Sequence, residues 1–460
     1  MEVPPIKFDL SYQRDEPPLP RMQWVWVAFA FLFIFIIGNS LNVNDKKSAA
    51  PLDSPKMKER SLELKMCAKG MMPDTKSDRS VHLFEQEIND LLVASKKDSS
   101  AQKLRVVLRV EDNDAPFRDD LSNLAKSTKP ANQAFSKLYT EPKPKKEESL
   151  ALLKQIGDKE ISERIAAVQI KESFGDKTIR NKTFDPQRTI GSAILAMLGV
   201  IGLGIGMLLW YIYFFQRQLG RLLPKGLPMA NIDWGKADRL VFVALVVFLS
   251  FALARPIVGL FIHRSGSGID MLLYLPVFVA MVICLNVPIF GWRIPAKSFG
   301  LSFERFPEKV GWAFAAFFAN IPILFGLLMI TAVLTKFLPG GYTPVTEELN
   351  GNVGTAKLVA LFFVVSVLAP IWEEFFFRGL LLPALTKALG KPIYGALLSS
   401  FVFASIHPQG MLGIPLLMGV GMVLCAVSYQ TKSLVSNMIL HGLHNGATIL
   451  VVLVMGPLLS

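Results

Sequence analysis

Cysteine is nearly absent: 460 residues hold three. Cys67 lies in a polar stretch, Cys284 and Cys425 in apolar ones, and no spacing suggests a zinc knuckle or a disulfide framework. Histidine is equally sparse, at five residues, so any grouping of histidines is informative. The zinc-protease signature HExxH is missing. No nucleotide loop is present either. Gly199, Gly202, Gly204 and Gly206 sit in an apolar run with no strand before them, and Gly202 and Gly206 have the small-xxx-small spacing that lets helices approach closely. The net charge of +12 comes without a nucleic-acid-binding motif. No nucleic-acid partner is therefore expected.

What the chain has in quantity is apolar sequence, 51% of its residues. Trp24 to Val43 reads as a signal anchor after a polar tail, residues 1–23, expected in the cytoplasm. From residue 190 onward the chain is mostly apolar. Candidate spans are 190–215, 240–262, 271–291, 311–335, 358–377, 392–407, 411–430 and 433–455. With the anchor this makes about nine apolar segments, eight or nine of them expected to span. Lys and Arg collect in alternate short loops: Arg217 to Arg239, Arg293 to Lys309, and Arg378 to Lys391. The positive-inside rule puts those loops in the cytoplasm. The host membrane is expected to be a bacterial plasma membrane.

Residues 44–188 differ, being rich in Lys, Asp, Glu and Ser. By the alternation of the spans they lie outside the cytoplasm. Ser80 to Lys96 shows helical spacing of Val81, Phe84, Ile88, Leu91 and Leu92. Leu104 to Val110, LRVVLRV, reads as a strand. Thr140 to Glu148 is a charged linker, and Leu150 to Ile170 returns to helical spacing. A small, mostly helical soluble domain inserted after the first span is expected, with no site of its own and no identifiable partner.

The last hundred residues carry the chemistry. A charged side chain in the middle of a spanning helix costs about 2.5–3.5 kcal/mol on insertion scales, yet Glu373, Glu374 and Arg378 fall within two helical turns among Trp372 and three phenylalanines. Glu374 and Arg378 share a helix face at i,i+4, which leaves Glu373 the freer carboxylate and the better general base. Phe403 and His407 stand at the same spacing, with Pro408 ending the helix, and so do His441 and Asn445. Three of the five histidines lie between 407 and 444; His82 and His263 look isolated. No serine or cysteine is paired for nucleophilic attack: Ser405 and His407, two apart on a helix, point away from each other. The set supplies the parts for water-mediated amide cleavage.

The three motifs together, Glu373-Glu374-x-x-x-Arg378, Phe403-x-x-x-His407 and His441-x-x-x-Asn445, closely resemble the signature of the CPBP intramembrane proteases. That family includes the Ras-converting-enzyme type of CAAX prenyl endopeptidase and the bacteriocin-processing or self-immunity (ABI) proteins. The resemblance covers roughly residues 270–455. It implies that Glu373, with His407, activates water, that His441 and Asn445 stabilise the transition state, and that Glu374 and Arg378 support them. It leaves Zn2+ or another divalent metal open as a cofactor, with Glu373, His407 and His441 as the ligands. It implies a membrane-associated protein or peptide substrate, prenylated or not. His444 departs from the bare pattern and is either an alternative ligand or packed on a neighbouring helix.

Two other classes are weighed against this. An ion-coupled transporter would use broken helices in both halves, but the polar residues have no counterpart earlier in the chain. A non-catalytic scaffold or immunity-type protein would tolerate loss of a motif residue, and none is lost. The expected architecture is all-α: a polytopic bundle with transmembrane helices and a basic cytoplasmic loop at 190–262 and a protease core at 270–455. One point sits awkwardly. His441 lies about 12 Å into a span starting near Ser433, whereas His407 lies about 22 Å along one starting near Pro392.

Overall fold

The computed structural model describes residues 19–43, 62–63, 65–67, 84–94, 98–184, 186–229, 231–261, 273–294, 296–334, 355–407 and 409–455. His82 and His263 lie outside them. The described residues are helical throughout apart from turns and one isolated bridge between Ile289 and Trp292. They divide into two compact units, 52–195 with 454–459, and 1–51 with 196–453 and Ser460.

The first unit is built from α2 (Glu85–Ala94), α3 (Ser99–Glu111), α4 (Arg118–Ala125), α5 (Pro130–Tyr139), α6 (Lys146–Ile156), α7 (Ile161–Ser173) and α8 (Ile179–Thr183), following α1 (Trp24–Val43) of the other unit. The expected strand Leu104–Val110 is instead the body of α3. Asp98 caps that helix by accepting from Ser100 N. Alternation misled because Arg105, which a strand would turn outward, is buried against Asp120, with Nε–Oδ2 2.8 Å and Nη2–Oδ1 2.6 Å. Val106, Val107 and Leu108 are all fully buried, as a helix enclosed on most sides requires. The helical run expected over Leu150–Ile170 is broken at Gly157, whose φ of +91° suits glycine. Glu160 and Glu163 then form a capping box that starts α7.

The second unit holds α1, α9 (Pro186–Gln218), α10 (Trp234–Phe261), α11 (Leu275–Asn286), α12 (Phe306–Leu334), α13 (Thr355–Leu389), α14 (Pro392–Ser405), α15 (Gly410–Thr431) and α16 (Leu434–Met455). Within the described residues five stretches are long and apolar enough to cross a membrane: 193–218, 234–254, 306–334, 355–389 and 411–431. The expected anchor forms α1 over its full expected length, Trp24–Val43, whereas two expected spans are shorter helices, Leu275–Asn286 and Pro392–Ser405. α11 stops early because the chain turns through Phe290 and Gly291, both with positive φ. α16 is 22 residues long but keeps Asn437, His441, His444 and Asn445 along its middle.

Close helix approach is set by glycine. A Cβ on Gly206 would lie 2.3 Å from the Phe318 carbonyl and 2.6 Å from Pro322, and one on Gly202 would lie 2.7 Å from Ile321. The Gly202–Gly206 face thus packs directly on α12. At the start of α10, Asp238 accepts from Arg21 Nε, Met22 N and Trp26 Nε1 at 2.6–2.8 Å and fixes the beginning of α1.

The depth of His407 is explained by α13, which runs 35 residues, about 52 Å, well beyond a hydrocarbon core of about 30 Å. It turns at Gly390 (φ +76°) into α14. Glu374 stands fifteen residues before Leu389 and His407 fifteen after Pro392, so the two come level in an antiparallel pair. α16 begins higher up, where Leu434 touches Gly379. Six residues separate Gly379 from Glu373 and seven separate Leu434 from His441, so the third helix is level too.

Candidate active site

α13 is wound unevenly around its charged residues. Two stretches, Val364–Leu368 and Phe375–Leu381, are π-helical, and Ala369–Glu374 between them is α-helical. Such widened turns re-aim side chains and recur at functional sites.

Glu374 is fully buried and fully partnered. Arg378 Nη1 donates to its Oε1 at 2.8 Å, His441 Nδ1 donates to the same oxygen at 2.8 Å, and Asn437 Nδ2 donates to Oε2 at 3.2 Å. Arg378 is itself held by the Gly421 carbonyl (3.1 Å from Nη2) and by the Phe403 ring, 4.8 Å from its Cζ. Asn437 is anchored by the Leu424 carbonyl at 2.9 Å and Ser428 Oγ at 2.8 Å. Buried ions persist where hydrogen bonds offset the loss of water, although Arg378 Nε and Asn437 Oδ1 are buried without a partner.

Glu373 is its opposite. It is 9% exposed, and its Oε2 is buried with no hydrogen-bond partner. That oxygen lies 3.7 Å from His441 Nε2. His407 donates from Nδ1 to the Phe403 carbonyl at 2.6 Å. Both imidazoles therefore spend Nδ1 on an acceptor, and the neutral form of each leaves Nε2 as a lone-pair nitrogen. The Phe403 ring seats both, with centroids 4.6 Å from His407 and 5.6 Å from His441. α13, α14 and α16 thus bring Glu373, Glu374, Arg378, His407 and His441 together.

Two sequence-level candidates are placed differently. Asn445 Nδ2 donates to the Val365 carbonyl at 2.8 Å. His444 faces α12, where its Nε2 is 3.1 Å from Asn320 Nδ2 and its ring 5.1 Å from Phe317. Of its two alternatives, packing on a neighbour is the one seen. Ser405 bonds the Phe401 carbonyl of its own helix. Sequence reasoning missed Asn437 and Asn320. Asn437 carried a signal, since Asn437, His441 and Asn445 run i, i+4, i+8 on one face. Asn320, alone in a long apolar helix, carried only the polar anomaly itself.

Residues 355–447 match the family described as type II CAAX prenyl endopeptidase Rce1-like. Membrane-embedded CAAX protease MroQ of Staphylococcus aureus (strain USA300) is 25% identical over 229 residues, 47% of this chain and 88% of MroQ. Both findings support membership of the CPBP family. All six residues from Glu373 to Asn445 fall inside the matched segment. With five spanning-length helices, the protein is a multi-pass integral membrane protein. No solved structure is matched.

A metal at Glu373, His407 and His441 is a separate matter. Among the described residues no three His, Cys, Asp or Glu side chains converge as a metal-holding group. No step is routed through a metal ion.

Proposed function

We propose that the protein is an intramembrane endopeptidase that hydrolyses a peptide bond near the C-terminus of a membrane-associated protein or peptide, of the CAAX-processing kind. MroQ is named as a membrane-embedded CAAX protease. One observation carries the reading. Of two adjacent carboxylates, Glu374 is saturated, while Glu373 keeps a buried, unpartnered oxygen beside the free face of an imidazole.

In the proposed reaction Glu373 takes a proton from water, and His407, through Nε2, orients that water. The oxygen attacks the carbonyl carbon. His441, held by Glu374 through Nδ1, presents Nε2 to the developing oxyanion, where a protonated imidazole donates a hydrogen bond. The resemblance pairs Asn445 with it in that role. Glu373 returns its proton to the leaving amine as the tetrahedral intermediate collapses. Glu374, Arg378 and Asn437 keep His441 in register and do not touch substrate. In the membrane, residues 44–188 lie outside the cytoplasm and the basic loops lie within it.

The test is the full-length protein in nanodiscs, incubated with a peptide library and read by mass spectrometry. Wild type cleaves. Glu373→Gln loses about 10²–10⁴-fold, the usual contribution of a general base, and His441→Ala loses a similar factor. A Glu373→Gln variant that cleaves at the wild-type rate refutes the assignment of the base.

A further inference from the structure

α9 touches α12 at Gly202 and Gly206 and then leaves it. From Met207 to Arg217 α9 has no Gly, Ala or Ser, and its large side chains hold the two axes apart. The facing residues of α12 are small: Ala315, Ala316 and Ala319. Trp210 bridges the gap. Its Nε1 donates to the Ala319 carbonyl at 2.7 Å, and its ring stacks on Phe214 with centroids 5.3 Å apart. α15 closes the third side with Val423 and Val427. An apolar cleft of about 430 Å³ is left between the three helices. Ile212 and Phe214 on its rim are exposed.

One end of the cleft is polar. Tyr213 Oη donates to Gln430 Oε1 at 3.2 Å and accepts from Arg217 Nη1 at 3.1 Å. Gln430 Nε2 donates to the Leu223 carbonyl at 3.1 Å, which ties the loop after α9 to the end of α15. Trp312 lines both this cleft and a second cavity of about 210 Å³. The second cavity forms where three loops meet. Gly300 (φ +68°) packs so tightly on the turn after α15 that a Cβ would lie 2.2 Å from the Lys432 carbonyl. The charged lining is Lys225, Arg305, Lys309 and Lys432, with Glu304 and Glu308. Glu308 is taken up by Lys225 at 3.2 Å and Arg305 at 2.7 Å, and Lys309 donates to the Ser302 carbonyl. The Lys432 ammonium is exposed and meets no acceptor among the described residues. With Arg217 of the cleft, five cations stand against two carboxylates. The loops that hold Lys225 and Arg305 are among those that the positive-inside rule puts in the cytoplasm, against the leaflet rich in anionic lipid.

We propose that the two cavities form a binding site for one anionic glycerophospholipid, with its phosphate at Arg217 and Lys432 and its acyl chains in the cleft between α9, α12 and α15. A lipid that merely coats the protein needs only an apolar surface. An apolar cleft with a cationic end instead matches a ligand that is apolar at one end and anionic at the other. A neutral lipid would leave the cations without a partner, and a soluble anion would leave the cleft unused. Trp312, at the join, is the residue type that favours the boundary between membrane and water. Glu373, His407 and His441 line neither cavity, and α9 lies outside the matched segment 355–447. The site is therefore independent of the protease reading.

The test releases full-length protein from nanodiscs of equimolar phosphatidylglycerol and phosphatidylcholine and reads the retained lipid by native mass spectrometry. Wild type keeps one phosphatidylglycerol and loses phosphatidylcholine. Arg217→Gln/Lys432→Gln weakens retention about 30-fold, the worth of two cations beside an anionic headgroup. Ala315→Phe fills the cleft and abolishes retention with every cation in place. Arg293→Gln/Lys387→Gln removes two cations from other basic positions and retains the lipid as wild type does. Glycerophosphoglycerol, the headgroup without its chains, does not displace the lipid when present in excess.

Equal retention of the two lipids, or equal loss in the Arg293/Lys387 variant, overturns the site in favour of unselective coating. Displacement by glycerophosphoglycerol makes it a site for soluble anions and overturns the lipid. Displacement by a prenylated peptide gives the cleft to substrate and overturns it as well. If Ala315→Phe does not fold, Ala426→Leu, on the exposed wall of the cleft, takes its place. Unchanged retention in a folded cleft-filling variant overturns the placement of the acyl chains.

Discussion

Removing Arg378 alone should be far more damaging than removing the ion pair it belongs to. Arg378 and Glu374 are both fully buried and joined at 2.8 Å. Arg378→Met keeps most of the volume of the stem and deletes the guanidinium. Glu374 then stays buried with only His441 and Asn437 as partners. Breaking a buried pair by deleting one member costs about 3–5 kcal/mol, because a charge is left uncompensated. At about 2–4 °C per kcal/mol for a domain of this size, the apparent Tm should fall by on the order of 10 °C. In Glu374→Gln/Arg378→Met no charge is stranded. The glutamine oxygen still accepts from His441 Nδ1 and its amide occupies the same volume, so the double variant should lose less than half as much as Arg378→Met. Scans at fixed rate in one detergent, with half-lives at constant temperature beside them, handle irreversible unfolding. A double variant as unstable as Arg378→Met would refute the reasoning. The damage would then come from the Gly421 carbonyl and the Phe403 ring losing the guanidinium, and not from a stranded carboxylate.

Other outcomes follow from the same contacts. Gly206→Val should separate α9 from α12, since even the first added carbon meets the Phe318 carbonyl at 2.3 Å; overpacking of this kind costs about 1–3 kcal/mol, and an unchanged apparent Tm would contradict it. Arg105→Met in α3 should cost about 3–5 kcal/mol by stranding Asp120, and Arg105→Met/Asp120→Asn should recover part of that loss; additive losses would show the pair to be uncoupled. Tyr139 is buried, and burial together with the Glu111 carboxylate pushes its phenol well above the usual tyrosine range. The folded protein therefore keeps a proton that the unfolded chain releases near pH 10. The resulting stability is intact below that pH and declines as pH rises above it. Ultraviolet titration should show one tyrosine ionising only on unfolding, a signature that Tyr139→Phe abolishes.

Most of the site was legible because polar residues in apolar helices are anomalies that point at themselves. Glu373, Glu374, Arg378, His407 and His441 stand out in sequence, and the structure brings them into one cluster. The all-α class was legible for the same reason, since long apolar runs leave helices as the available form. What escaped was whatever depends on a neighbour. Arg105 alternates like a strand residue until Asp120 buries it. The early ends of α11 and α14 depend on turns that a hydropathy window smooths over. The surroundings of Pro370 were hidden too, since the Val365 carbonyl just before it is met by a residue 80 positions later in the chain.

The adjacent glutamates show how one helix makes two unlike groups from one residue type. Standard winding puts Glu373 and Glu374 about 100° apart, enough to face different neighbours but not to decide which neighbours those are. The deciding features lie on either side. Before them, the widened turn at Val364–Leu368 absorbs Pro370 and is closed by Asn445 from α16. After them, the widened turn Phe375–Leu381 carries Arg378 back onto Glu374 rather than Glu373. Glu374 thereby accepts from Arg378, His441 and Asn437, and Glu373 is left with a free oxygen facing His441. A buried carboxylate oxygen without a donor is exceptional. Its presence beside a saturated carboxylate is the physical reason the proposed reaction gives the base to Glu373, and it depends on backbone distortion that no residue pattern at 373 and 374 records.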